Sequence, residues 1–189
     1  MSFKAFGIEI YVSFYFLAII TIMLYTDKTG LASVMLFAIF LHELGHIFAM
    51  ILLSCRVLKI RLIPSSVQIV KDSSKGYGKD CLIAFAGPFV NLCLFLFFKH
   101  RFENFALINF AVGAYNLLPF KGLDGGTICY SVLCKLFDIN KVAVILKYLT
   151  ITVAVILIIG ASMLWLFEKG NISLLIISAY LLVTSLLKL

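Results

Sequence analysis

The sequence predicts an all-α polytopic membrane protein of about six transmembrane helices, with a small β-hairpin lying on the membrane surface after the second. Three observations carry that reading. Of the 189 residues, 63% are hydrophobic and only 13% charged, whereas a soluble domain is nearer half and a quarter. Apolar runs approach, again and again, the roughly 20 residues that a bilayer-spanning helix needs. The basic residues also collect on one set of connecting loops, as cytoplasmic loops do.

The first expected span is Ile10 to Tyr25, slightly short. The second, Leu31 to Leu53, contains the run FLHELGHIFAM. The third is Lys79 to Phe98. The fourth runs from Asn104 to Leu118, is interrupted over Pro119 to Gly126, and resumes to Phe137. Val142 to Phe167 is the fifth and Ile172 to Leu187 the sixth. Tyr11, Tyr15, Tyr25, Trp165 and Tyr180 fall near predicted ends, where interfacial aromatics sit.

After the second span, Lys59 and Arg61 alternate with Ile60 and Leu62, the period of a strand. Pro64-Ser65-Ser66 signals a turn, and Val67-Gln68-Ile69 can return. An amphipathic hairpin at the cytosolic surface and an ordinary cytosolic loop both fit these residues.

Six spans put both termini on one side. With them lie Lys4, the Arg56–Lys79 basic cluster, Lys135, Lys141, Lys147 and Lys188, eleven basic residues in all, against four (Lys28, Lys99, Arg101 and Lys169) on the other. The positive-inside rule then places both termini in the cytoplasm. The net charge of +7 is accounted for by those loops, and no basic tail or aromatic-basic patch points to nucleic acid. The N-terminus lacks signal-peptide shape, because Lys4 and Glu9 mix signs and no A-x-A site follows. The five cysteines form no CxxC pair and are expected to be buried, reduced thiols. A single domain, 1–189, is expected, with no PDZ or CBS domain.

Most of the acidic residues fall at predicted ends or loops. Glu43 and Asp124 remain at membrane depth, where a lone charge costs at least about 2.5–3.5 kcal/mol. His42 and His46 supply partners for Glu43. Residues i and i+4 on a helix lie about 40° apart, so both imidazoles face one point and can bind a single Zn²⁺. Glu43 beside them can take a proton from water that such a metal activates. Gly45 lets another helix or a substrate backbone approach.

Two histidines leave a catalytic zinc one protein ligand short. His100, flanked by Lys99 and Arg101, reads as a solvated loop residue. Asp124 is the better candidate. It follows Pro119 and Gly122 and precedes Gly125 and Gly126, all of which disfavour a continuous helix. Broken helices at membrane depth persist only inside protein or along a wet cavity. Gly87-Pro88 kinks the third span. Asn91, one turn on, can satisfy the freed backbone, bond across helices or contact substrate. Asn116 is either an amide for an extended substrate backbone or a helix-packing residue.

HELGH (His42–His46), AGPFVN (Ala86–Asn91) and NLLPFKGLDGG (Asn116–Gly126) together resemble the site-2 proteases, which are intramembrane zinc metalloproteases. The likeness is greatest to the short branch related to the sporulation protease that releases a membrane-tethered pro-sigma factor. The resemblance implies His42, His46 and Asp124 as zinc ligands and Glu43 as catalytic base. It also implies a hairpin that helps present the substrate and an Asn116 that helps hold it. Cleavage of a membrane-embedded protein substrate, a regulatory or transcription factor among the candidates, is the expected activity. Regulatory membrane proteins and the bilayer are the other partners. Phe120-Lys121-Gly122 departs from the family pattern, which often carries further proline or small residues there. The rival classes are a transporter or proton relay built on the same buried ionisable groups, and a scaffold without turnover.

Overall fold

Period-two alternation at the N-terminus builds a strand where an apolar helix is expected. The computed structural model describes residues 2–5, 7–63, 66–71 and 76–168, with Ala179 and Val183 beyond them. The chain divides into two units, Met1–Tyr115 and Asn116–Leu189.

In the first unit, β1 (Ser2–Ala5) and β2 (Ile8–Val12) form an antiparallel pair around Gly7, which adopts φ 80°. Ile8, Ile10 and Val12 alternate with Glu9 and Tyr11, a β-branched period-two pattern. The first helix, α1, therefore spans Phe14–Thr26 and not Ile10 to Tyr25. At 13 residues it is about 20 Å long, short of the roughly 30 Å hydrocarbon layer. Asp27 ends it and organises the turn to α2 (Leu31–Leu52). Its carboxylate accepts from the Thr29 amide and hydroxyl and, at 2.7 Å, from the Ala32 amide, one of the orphan donors of the new helix. These bonds, that of the Thr29 hydroxyl foremost, hold the Asp27 carboxyl below the usual carboxylate range.

The expected hairpin follows α2 as β3 (Val57–Ile63) and β4 (Ser66–Lys71), antiparallel. It does not stand alone. β2 pairs with β3 in parallel, giving a four-stranded sheet in the order β1-β2-β3-β4. A parallel neighbour needs a crossover, and α1 with α2 is that crossover. Ser13 N–H continues the ladder by donating to the Leu62 carbonyl at 2.9 Å. Glu9 and Lys59 are register partners and their side chains meet at 2.6 Å.

The Lys59 hydrogen bond holds the Glu9 carboxyl below the usual carboxylate range. A group lowered on folding contributes stability above its unfolded pKa and loses it as pH falls through the folded one. The pair thus supports the β2–β3 ladder fully at neutral pH and releases it only in acid. A ¹³C carboxyl titration is expected to give Glu9 a low midpoint in the native protein and an ordinary one in Lys59→Met. Equal midpoints in the two proteins would contradict this.

α3 (Tyr77–Phe98) packs on α2, and α4 (Glu103–Asn116) follows a short turn. Gly45 of α2 lies against the α3 backbone: a Cβ there would lie 2.8 Å from the Ala86 carbonyl oxygen. The expected tolerance of Gly45 for a second helix is thus used by α3.

In the second unit, the segment from Leu117 turns back before α5 (Asp124–Leu136), and α6 (Ile139–Glu168) follows. Phe120, 3% exposed, packs with Ala154 of α6 among Leu118, Leu123, Val153 and Leu157. Among the described residues, α2, α3 and α6 are long and apolar enough to cross a membrane. The expected sixth span lies, apart from Ala179 and Val183, outside the described residues. The chain is mostly helical with a small sheet, and the sheet is larger than a lone hairpin.

Candidate metal centre

Two backbone carbonyls decide how the histidines of α2 point. His42 and His46 are 3% and 7% exposed. His46 Nδ1 lies 2.7 Å from the Ile83 carbonyl of α3. A carbonyl can only accept, so the neutral ring carries its hydrogen on Nδ1 and its lone pair on Nε2. His42 Nδ1 lies 2.5 Å from Asn91 Oδ1. Asn91 Nδ2 donates to the Ala38 carbonyl at 3.2 Å and to Asn109 Oδ1 at 2.8 Å, which together turn the amide so that its oxygen faces His42. His42 therefore also carries its hydrogen on Nδ1.

The two Nε2 atoms are 3.1 Å apart. With both hydrogens on Nδ1, neither ring offers the other a proton, and this approach brings two lone pairs to one place. Such an arrangement fits a shared cation. Metal-bound imidazoles are oriented in this manner, the distal N–H given to a carbonyl or a side-chain oxygen.

Gly87 completes the cradle. A Cβ built on it would collide with His46 Nε2 and come within 2.7 Å of His42 Nε2. The kinked stretch of α3 thus faces the paired nitrogens with its glycine. Pro88, next to it, has no N–H for the Ala84 carbonyl. Glu43, partly buried, follows His42 directly on α2.

Asn91 is fully buried at 0% exposure. Its oxygen faces His42, and its two amide hydrogens go to Ala38 and Asn109. These bonds place Asn91 to orient His42. The cross-helix bonding considered for it is what the structure has. Asn109 was not singled out by sequence, although an amide within an apolar helix was the available signal.

In the second unit Asp124 is the first residue of α5 and partly buried. The glycines after it allow the preceding turn to fold back. A Cβ on Gly125 would strike the Leu117 carbonyl, and one on Gly126 the Phe120 carbonyl. Thr150 of α6 donates its hydroxyl to the Pro119 carbonyl at 2.8 Å. Asp124 thus follows a turn pinned to α6 by Thr150 and Phe120. Asn116 is partly buried at the end of α4. All five cysteines are free thiols, partly buried.

The sequence pattern of the family described as Peptidase M50B-like matches residues 14–118, more than half of the chain. The chain belongs to the site-2 protease family. Stage IV sporulation protein FB of Bacillus subtilis is 25% identical over 119 residues, covering 57% of this chain and 41% of that protein. Zinc metalloprotease MJ0392 of Methanocaldococcus jannaschii is 26% identical over 159 residues, covering 74% of this chain and 47% of that protein. The matches span less than half the length of these curated relatives. Among solved structures, the site-2 protease from Methanocaldococcus jannaschii superposes with a TM-score of 0.66 and 22% identity, over 98% of this chain and 94% of that one. That likeness establishes a shared fold. Membership of the site-2 protease family accords with the three helices, among the described residues, that are long and apolar enough to cross a membrane.

Proposed function

We propose that this protein is an intramembrane zinc endopeptidase, cleaving a peptide bond in or beside a transmembrane segment of a membrane-tethered protein. The observation that carries the reading is the pair of Nε2 atoms of His42 and His46, aimed at one place 3.1 Å apart by hydrogen bonds on their far nitrogens. His42 and His46 are two ligands and Asp124, at the start of α5, is the third. A three-ligand site leaves a fourth position open for water or substrate.

Zn²⁺ held there supplies Lewis acidity, making water more acidic and a peptide carbonyl more electrophilic. Glu43 accepts the proton of the attacking water as its oxygen bonds to the carbonyl carbon. It then delivers that proton to the amide nitrogen as the C–N bond breaks. The substrate helix must unwind locally, because its carbonyls are otherwise held in i to i−4 bonds. Asn116 holds the unwound backbone, and strand addition at the edge of the sheet presents it. In this reading the chain is one multi-pass catalytic domain with both termini in the cytoplasm, consistent with its basic loops.

The test is zinc per chain in the purified, detergent-solubilised protein beside His46→Ala and Asp124→Ala. About one zinc in the native protein, lost or weakened in both variants, is expected for a three-ligand site. A well-folded native protein that takes no zinc when supplied with it would overturn the protease reading. A proton relay using His42, Glu43, His46 and Asp124 would then replace it.

A further inference from the structure

We propose that α4 sets the metal-facing state of His42 through Asn109, which makes Asn109 a positioning residue two hydrogen bonds removed from that ligand. This rests on the zinc reading above and deepens it.

The inference follows from a one-way chain of hydrogen bonds through three helices. His42 Nδ1–H donates to Asn91 Oδ1. Asn91 Nδ2 donates at 2.8 Å to Asn109 Oδ1. Asn109 Nδ2 donates at 2.8 Å to the Phe105 carbonyl, one turn back on α4. The last acceptor is a backbone oxygen and cannot donate, so it fixes the orientation of Asn109. Asn109 in turn presents only an oxygen to Asn91, which keeps the Asn91 amide turned with its own oxygen toward His42. Hydrogen bonds that run in one direction polarise one another and strengthen together.

Burial makes the chain strict. Asn91 and Asn109 are both 0% exposed, so no water competes for their amides. The buried residues of α4 are Ala106, Asn109 and Gly113, spaced three and four apart on one face. Gly113 brings that face against α3: a Cβ there would lie 3.2 Å from Asn91 Cβ. The small residues flanking Asn109 let its short side chain reach Asn91. Ala38 alone would leave one amide hydrogen of Asn91 without an acceptor and the amide less firmly held.

Asn109→Leu keeps the shape and removes the acceptor. Asn109→Asp, protonated in this apolar setting, keeps a carbonyl oxygen for Asn91 and a hydroxyl for Phe105. In chelator competition on the full-length protein, Asn109→Leu is expected to hold zinc about tenfold more weakly, the lower end for outer partners of a metal ligand. Asn109→Asp is expected to stay close to the native affinity. Native affinity in Asn109→Leu, or equal weakening in both variants, would overturn the proposal while leaving the zinc reading intact. Absence of zinc from the native protein would remove both. A second measurement does not depend on how the variants fold. In ¹⁵N-histidine-labelled native protein stripped of metal, His42 is expected to carry its hydrogen on Nδ1. A hydrogen on Nε2 would overturn the relay.

Discussion

Gly87→Ala is expected to leave the protein folded and strip it of zinc. Alanine is the better helix former, by about 1 kcal/mol, so α3 itself does not suffer. The new methyl, however, would occupy the ground where His42 and His46 point. Its carbon would fall 2.6 Å from His46 Cε1 and 2.7 Å from His42 Nε2, and nearer still to His46 Nε2. The rings cannot retreat cheaply, since Asn91 and the Ile83 carbonyl hold their far sides. One ring must leave its partner or the metal must leave the rings. Zinc affinity is expected to fall by more than the roughly 10–100-fold that follows loss of an outer partner, with helicity and melting behaviour near native. Competition with a chromophoric chelator measures the first and circular dichroism the second. A Gly87→Ala protein with native zinc affinity would show that the rings do not meet their metal on the α3 side.

Glu43→Gln is expected to separate binding from chemistry. The amide is nearly isosteric with the carboxylate and is not among the three proposed ligands, so about one zinc per chain should remain. It cannot take the proton of water. Cleavage of a membrane-helix substrate should fall by about 10²–10⁴-fold, the usual contribution of a positioned general base. Cleavage undiminished in Glu43→Gln would remove the proposed role of that residue. Zinc lost along with activity would instead make Glu43 part of the metal site.

Local spacing made much of this legible from sequence, and long-range pairing did not. The i, i+4 separation of His42 and His46 fixes their common face on any helix, and both rings do meet. Alternation around Lys59 and Arg61 with a turn at Pro64 foretold β3 and β4. The proline and glycines after Leu118 foretold a break, and α5 begins after it at Asp124. By contrast, β2 looked like the start of a helix because its partner, β3, is about fifty residues on and its apolar residues merge with those of α1. The aim of Gly87 at the imidazoles depends on how α3 rolls against α2, which a glycine-proline pair does not reveal. The same roll buries Asn91 between His42 and Asn109. Asn109 carried a readable signal, an amide in the apolar middle of α4, but its partner came from a different helix.

The parallel pairing of β2 with β3 bears on the order in which the chain assembles. β2 is made first and has only β1 within local reach, across the Gly7 turn. Its other edge waits until Lys59, 50 residues after Glu9, has been synthesised. Contacts of that separation form late, because the intervening loop must close before they contribute. Here the intervening loop is α1 and α2, so both helices must form and return the chain to the sheet before the ladder can close. A helix pair that did not return the chain would hold β3 away from β2 and leave Glu9 and Lys59 apart. The completed ladder thus ties together the two ends of the α1–α2 segment, and with them the helix that carries the histidines.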